Sequence, residues 1–285
     1  MLSLKAFKKF GLSQDPFTGD VLKNEDVFLT DDTRFIAEYM LSTAKIGGMA
    51  ALVGESGSGK STIRRYVIDR ISEEGHKVKI IAPRCIDKTR LSASSICDAI
   101  ISDCSASTPR RTLEAKARQV EKILMASSEA GYSHVLMIEE AHDLSVQTLK
   151  YLKRFWELEH GFKKLLSIML IGQPELKSKL DESRNWEARE VIRRMEVLEI
   201  TPLASGEDIA RYLNIKFKRL GKERKTIIND SGCTALATRL VRKTRTDISY
   251  SVALPLLVNN WTRRAMNAAA ELGADVVDAE IVNAL

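Results

Sequence analysis

The sequence is poor in cysteine and aromatic residues and has no long apolar run. Its four cysteines, Cys85, Cys97, Cys104 and Cys233, include no CxxC pair in 285 residues. That spacing argues against a cysteine-based zinc or redox motif and for buried, reduced thiols. Aromatic residues make up 6% of the chain. With so few set among basic residues, recognition of single strands by base stacking is disfavoured. No apolar stretch approaches the roughly 18 residues that span a membrane. The opening MLSLKAFKKFGLSQDPF has neither a long apolar core nor a small-residue cleavage site, so it does not read as a secretory signal. These absences lead to the expectation of a cytoplasmic protein with no membrane partner.

What is present suits a globular chain: 44% hydrophobic and 29% charged residues, with a formal charge of +6. The length favours one large domain and a smaller one. The positive charge is concentrated. Residues 205–264 hold thirteen Lys/Arg against five Asp/Glu, whereas the last 21 residues are acidic. A polyanionic partner and a solvated helical surface both account for that pattern.

Residues 1–30 read as an irregular N-terminal extension packing on the domain that follows. A helix capped at Asp31 or Asp32 places Phe35, Ile36, Tyr39, Met40 and Thr43 on one face. Apolar strand-like runs then alternate with helical periodicity: strands at 49–53, 77–83, 134–139, 165–172 and 196–200, helices at 61–75, 91–104, 112–130 and 146–160. Alternation of this kind predicts an α/β fold, a parallel sheet covered by helices on both faces. After Pro202 the strand signals stop. The expected boundary falls near 203–205, giving an α/β domain over 31–203 and a small all-helical domain over 204–285.

Directly after the first strand comes GESGSGKS, Gly54 to Ser61, which fills every position of G-x-x-x-x-G-K-[ST] between a strand and a helix. Gly54, Gly57 and Gly59 let the backbone wrap phosphate oxygens where a Cβ would collide. Successive N–H groups of Glu55, Ser56, Ser58 and their neighbours, with Thr62 at the N-terminus of the 61–75 helix, point at the anion. Lys60 reaches the outer phosphates and the Ser61 hydroxyl is a Mg²⁺ ligand in this phosphate-loop chemistry. The motif therefore predicts ATP and Mg²⁺.

The stretch HVLMIEEAHDL, His134 to Leu144, runs four apolar residues into two adjacent carboxylates. In phosphate-loop hydrolases an acid at a neighbouring strand end helps to hold Mg²⁺. Successive residues leaving a strand point in different directions. Glu139 is thus expected on the Ser61–Mg²⁺ side, and Glu140 as the base that polarises the attacking water. Gln173, in IGQPEL at the end of the 165–171 strand, is either a γ-phosphate or water contact or a turn residue before Pro174.

GESGSGKS, VLMIEEAHDLS, LIGQPEL and RRMEVLEITPL occur in that order, and together they resemble the AAA+ ATPases of the ExeA-like group. That group includes phage Mu-type transposition protein B and TnsC-type transposition regulators. The resemblance implies a P-loop (ASCE/AAA+) domain with a helical lid and ATP bound at a subunit interface. It also implies an arginine supplied by the neighbouring subunit. Arg193 and Arg194 match its usual place, with Arg189 behind them; local ion pairing with Glu187, Glu190 or Glu196 is the alternative. Two departures stand out. Glu139 occupies a position where Asp is usual, and the lid's Gly-x-x-Arg pattern is replaced by RKTRTDIS, which leaves Arg245 as the lid arginine.

The resemblance further implies ATP-dependent homo-oligomers, rings or helical filaments, on double-stranded DNA, with a transposase as partner. Lys88 and Arg90, and Lys150, Lys153 and Arg154 on the 146–160 helix, are the candidate phosphate contacts. The alternative is an ExeA-like secretion or envelope-assembly ATPase. The transmembrane and peptidoglycan-binding segments usual in such proteins are not readable here, which favours the transposition reading. A stand-alone signalling NTPase is a third possibility.

Overall fold

A computed structural model describes residues 1–19, 21–243 and 246–285. The elements begin with α1 (Leu4–Phe10), α2 (Asp31–Ile46), β1 (Met49–Val53), α3 (Lys60–Glu73), β2 (Val78–Ile81), α4 (Ala93–Cys104) and α5 (Leu113–Glu129). Next come β3 (Ser133–Ile138), α6 (Val146–Trp156), β4 (Glu159–His160), β5 (Lys163–Lys164), β6 (Ser167–Gly172), α7 (Pro174–Lys179), α8 (Arg189–Ile192) and β7 (Glu196–Glu199). The chain ends with α9 (Gly206–Lys218), α10 (Asp230–Arg239), β8 (Val241–Lys243), β9 (Ser249–Ser251), α11 (Pro255–Leu272) and α12 (Ala279–Asn283). Contacts divide it into two units, residues 33–55 with 63–200, and residues 1–32 with 56–62 and 201–285.

The first unit is built on a five-stranded sheet in the order β2-β3-β6-β1-β7, with every neighbouring pair parallel. Side chains alternate across a strand, so each face needs its own cover. Ala51, Val53, Leu136, Ile138, Ile168 and Leu170 enter a core with α4, α5 and α6. Ala50, Leu52, Val135, Met137, Met169 and Ile171 enter a second core with α2 and α3. Burial on both sides is why these strands read as unbroken apolar runs. The register sets Val53 level with Gly172 and Ile138 level with Leu170. The segments that start at Gly54, Glu139 and Gln173 therefore leave one edge of the sheet, the carboxyl edge where α/β sheets bind ligands.

The second unit gathers α9 to α12 around Ile209, Leu213, Phe217, Leu236, Val258 and Met266. Residues 1–30 depart from expectation. They are not wholly irregular, because α1 is capped by Ser3, whose side chain accepts from the Ala6 N–H, and closed by Gly11 at φ 57°. Seven residues are too few to show periodicity. Leu2, Ala6, Phe10 and Phe17 enter the core of this helical unit, whereas the sequence had the extension packing on the sheet domain.

Other differences have the same physical origin. The ribbon β8–β9 interrupts the helices after Pro202, and β4–β5 follows α6 where the helix was expected to run to 160. Both ribbons are largely exposed, so no apolar pattern announces them. Phe35, placed on the core face of α2, is 64% exposed, and Ala37, Leu41 and Ala44 fill that face instead.

Candidate nucleotide site

The phosphate loop is set by β1, which is buried at all five residues. The Gly54 N–H donates to the Gly172 carbonyl at 3.2 Å, tying the start of the loop to the end of β6. Gly57 and Gly59 adopt φ of 79° and 101°, values that other residues rarely take. The Thr62 N–H donates to the Gly59 carbonyl at 2.9 Å and closes the first turn of α3. Ser58 is 5% exposed, and its buried hydroxyl has no hydrogen-bond partner among the described residues. A loop of this shape at the start of a 14-residue helix, with an orphaned hydroxyl inside it, fits a bound phosphate chain.

Gly57 also meets the start of α11. The Leu256 N–H donates to the Gly57 carbonyl at 3.3 Å, and a Cβ at position 57 would lie 2.5 Å from Leu256 Cβ. Here the segment 56–62 is touched by a leucine and a helix amino end. Arg245, the lid arginine of the sequence reading, lies outside the described residues.

The two glutamates have different partners. Glu139 Oε1 is 2.6 Å from Arg64 Nε, an ion pair without the alignment of a directed hydrogen bond. Arg64 is four residues after Lys60, one turn further along α3. Glu140 adopts φ 52° and ψ 38°, the left-handed region, which costs a residue with a Cβ about 1–2 kcal/mol. That turn swings the chain off β3 into Ala141–Asp143. It leaves the Glu140 carboxylate more than half exposed, with His142 Nδ1 at 3.5 Å. Among the described residues no three His, Cys, Asp or Glu side chains cluster around a metal position. The Ser61 hydroxyl and the Glu139 carboxylate are each oxygen donors, the chemistry that Mg²⁺ takes, commonly with one or two carboxylates beside its waters.

Gln173 sits where β6 ends. Its backbone N–H donates to His142 Nδ1 at 3.4 Å, and its side-chain Nε2 is 3.4 Å from His142 Nε2. A Cβ on Gly172 would lie 3.1 Å from the His142 backbone N, so glycine there is what lets the two segments approach. The structure thus brings Glu140 and Gln173 to one histidine that the sequence reading did not single out. Its only signal was its place two residues after the carboxylate pair.

The candidate arginines are engaged locally. Arg193 ion-pairs with Glu182 through Nε at 3.0 Å and Nη2, and not with Glu187, Glu190 or Glu196. That guanidinium holds the Glu182 carboxyl below its usual range. Arg194 donates to the Glu190 carbonyl and lies 5.7 Å from the Trp156 ring. Arg189 stacks 4.5 Å from the ring of Trp186, which is 60% exposed. The candidate DNA contacts also have neighbours. Lys150 pairs with Glu187 and Lys153 with Glu190, each at 2.6 Å. Arg90 pairs with Asp87 at 3.0 Å, Lys88 donates to the Pro83 carbonyl at 3.0 Å, and Arg154 lies 5.7 Å from the Tyr151 ring.

Comparison with known proteins agrees with the fold. The family model described as "AAA domain" matches residues 45–180. General secretion pathway protein A of Aeromonas hydrophila is 29% identical over 216 residues, which is 74% of this chain and 37% of that protein. The chain thus spans little more than a third of that relative's length. Among solved structures, Cdc6p from Pyrobaculum aerophilum superposes with a TM-score of 0.62 at 15% identity, over 93% of this chain and 68% of that one. Drosophila ORC bound to DNA gives 0.61 at 15% identity, over 98% of this chain and 64% of that one. Aeropyrum pernix ORC2 gives 0.57 at 14% identity, over 95% and 70%. Identities this low speak for the fold alone. Residues 45–180 thus match an AAA domain, the fold matches that of P-loop AAA+ structures, and the chain is similar in sequence to general secretion pathway protein A.

Proposed function

We propose that this protein is an ATP-hydrolysing AAA+ protein that binds duplex DNA without sequence preference. In this reading it assembles on DNA with ATP and activates a transposase in target selection. The observation that carries the ATPase part is the pair of adjacent glutamates with separate partners on the sheet edge that also launches the phosphate loop. ATP supplies the phosphoryl group, and Mg²⁺ neutralises charge on its phosphates. The residues around it divide the work. Gly54 to Thr62 cradle the phosphates with backbone N–H groups, Lys60 meets the outer phosphates, and Ser61 and Glu139 hold the metal. Glu140 polarises the water, Gln173 orients it, and Arg193 or Arg194 of one copy reaches the site of the next. Arg245 completes the lid.

The concentration of basic residues in 205–264 supports contact with DNA phosphates, as does the likeness in fold to Drosophila ORC, solved bound to DNA. Lys88, Arg90, Lys150 and Arg154 are the proposed contacts. The ion pairs of Lys150 and Arg90 are exposed, and exposed pairs of this kind exchange at little cost. One observation favours a second reading, a role in secretion or envelope assembly without DNA: the similarity to general secretion pathway protein A.

Sedimentation and negative-stain imaging with plasmid DNA, with and without a slowly hydrolysed ATP analogue, separate the two. ATP-dependent assemblies on DNA are expected. Their absence refutes the transposition reading and leaves the secretion reading standing. Glu140→Gln is expected to bind nucleotide, fail to hydrolyse it and prolong the DNA-bound state. Lys60→Ala loses nucleotide binding and assembly together.

A further inference from the structure

His142 sits between the two polar residues that the proposed reaction needs, and its contacts exclude one another. The ring is largely buried, with 14% of its side chain exposed. Glu140 and Asp143 face it from its own segment, and Gln173 from the end of β6, through both its backbone N–H and its side chain. Asp143 is the more distant acid, 3.8 Å from Nε2.

A neutral imidazole carries one proton, on Nδ1 or on Nε2. With the proton on Nδ1, the ring donates to Glu140 Oε2, and Nε2 accepts from the Gln173 side-chain amide nitrogen. The Gln173 backbone N–H then meets a second N–H and loses its acceptor. With the proton on Nε2, Nδ1 accepts from the Gln173 backbone N–H, while Nε2 calls for the amide oxygen of Gln173 in place of its nitrogen. Glu140 then faces a lone pair and is released. The 3.4 Å and 3.5 Å contacts around Nδ1 therefore belong to two alternative networks.

We propose that His142 is a positioning residue that couples Glu140 to Gln173. Its tautomer sets together which way the Gln173 amide points and whether the Glu140 carboxylate is held or free to polarise water. Three features of the chain build this device. The left-handed turn at Glu140 brings His142 back beneath the strand end. Gly172 admits its backbone at 3.1 Å from where a Cβ would stand. The burial of Ala141 fixes the turn between them. The inference rests on the reading of Glu140 as the water-polarising group.

The test measures nucleotide affinity and the steady-state rate of ATP hydrolysis in the full chain. His142→Ala is expected to lower kcat between about 10- and 100-fold, the cost of misplacing a reacting group by about an ångström. Its affinity for ATP stays at the wild-type value, which also reports that the variant is folded. His142→Asn keeps a donor or acceptor at the Nδ1 position and is expected to recover part of the rate. His142→Ala combined with Gln173→Ala is expected to be no slower than the slower single variant, because the two residues act as one unit. A wild-type kcat in His142→Ala, beside an inactive Glu140→Gln, overturns the coupling and spares the base assignment. Multiplicative losses in the double variant also overturn it. A Glu140→Gln variant that hydrolyses ATP at the wild-type rate overturns both.

Discussion

His134 is the second residue of β3, the strand that delivers both glutamates, and its burial has a measurable consequence. The residue is 1% exposed. Its Nδ1 lies 2.9 Å from the Leu165 carbonyl, which can only accept, so Nδ1 carries the proton. Nε2, 2.8 Å from Ser127 Oγ, then accepts from that hydroxyl. Both ring nitrogens are satisfied in the neutral form, and burial pushes the imidazole down to about 4 from an ordinary value of 6.5. Below the ordinary value the unfolded chain binds a proton that the folded chain refuses, so stability falls as pH falls. Above about pH 6.5 the effect vanishes, and below about pH 4 it is complete.

The full shift corresponds to about 3 kcal/mol, of which about 2 kcal/mol is lost between pH 8 and pH 5. Glu74, Glu182, Glu187 and Glu190 are held below the usual carboxylate range by their ion-pair and hydrogen-bond partners. Their contribution is present above the unfolded carboxylate value, about 4.3, and disappears at lower pH, so the window from 5 to 6.5 belongs to His134. The assay is urea unfolding followed by tryptophan fluorescence at several pH values, for wild type and for His134→Asn. Asparagine keeps a donor toward the Leu165 carbonyl and cannot titrate. The wild type should lose about 2 kcal/mol more than the variant over this range. Equal losses in the two proteins would refute the assignment of a buried neutral ring at the head of β3.

Gly57→Ala places a methyl 2.5 Å from Leu256 Cβ on a backbone at φ 79°, so ATP affinity by calorimetry should fall at least about 10-fold without loss of helix content. Leu256→Ala in that background should recover only part of it, since the left-handed backbone still costs about 1–2 kcal/mol. Arg224 is 3% exposed and bonds the Ile228 carbonyl at 2.8 Å, Asn214 Oδ1 at 3.2 Å and Asp230. Arg224→Met orphans the first two acceptors and should cost about 2–3 kcal/mol in urea unfolding, with ATP affinity unaltered.

The sheet was legible because both its faces are buried, which writes each central strand as an apolar run. The phosphate loop was legible because its signature is contiguous. The partners of the site were not. Arg64, His142 and Leu256 act on Glu139, Gln173 and Gly57 across long stretches of chain, and no local spacing encodes such contacts. The basic residues of α6 show the same limit. Lys150 and Lys153 read as free cations on a helix, yet α6 packs beside the 186–192 segment and brings Glu187 and Glu190 to them. The ribbons β4–β5 and β8–β9 escaped for the opposite reason, since exposed strands need no apolar face.

Glu139 is one methylene longer than the aspartate that the resemblance to the ExeA-like group implies, and the structure gives that methylene a partner. The longer side chain reaches Arg64 Nε at 2.6 Å, on the turn of α3 that follows Lys60. An aspartate would retract the carboxylate by about one C–C bond, roughly 1.5 Å, and break that contact. If Mg²⁺ draws on the same carboxylate, Arg64 competes with it. Both partners are partly exposed, so the pair is worth about 0.2–1 kcal/mol. Arg64→Ala should then lower the Mg²⁺ concentration for half-maximal hydrolysis by about 1.5- to 5-fold. Glu139→Asp in wild type releases the same competitor but also moves the ligand, whereas in the Arg64→Ala background it only moves the ligand. The two substitutions should therefore be non-additive, with a coupling close to the strength of the pair. Strict additivity in Mg²⁺ dependence would mean that Arg64 holds Glu139 for the fold alone, and that the glutamate's length has no bearing on the metal.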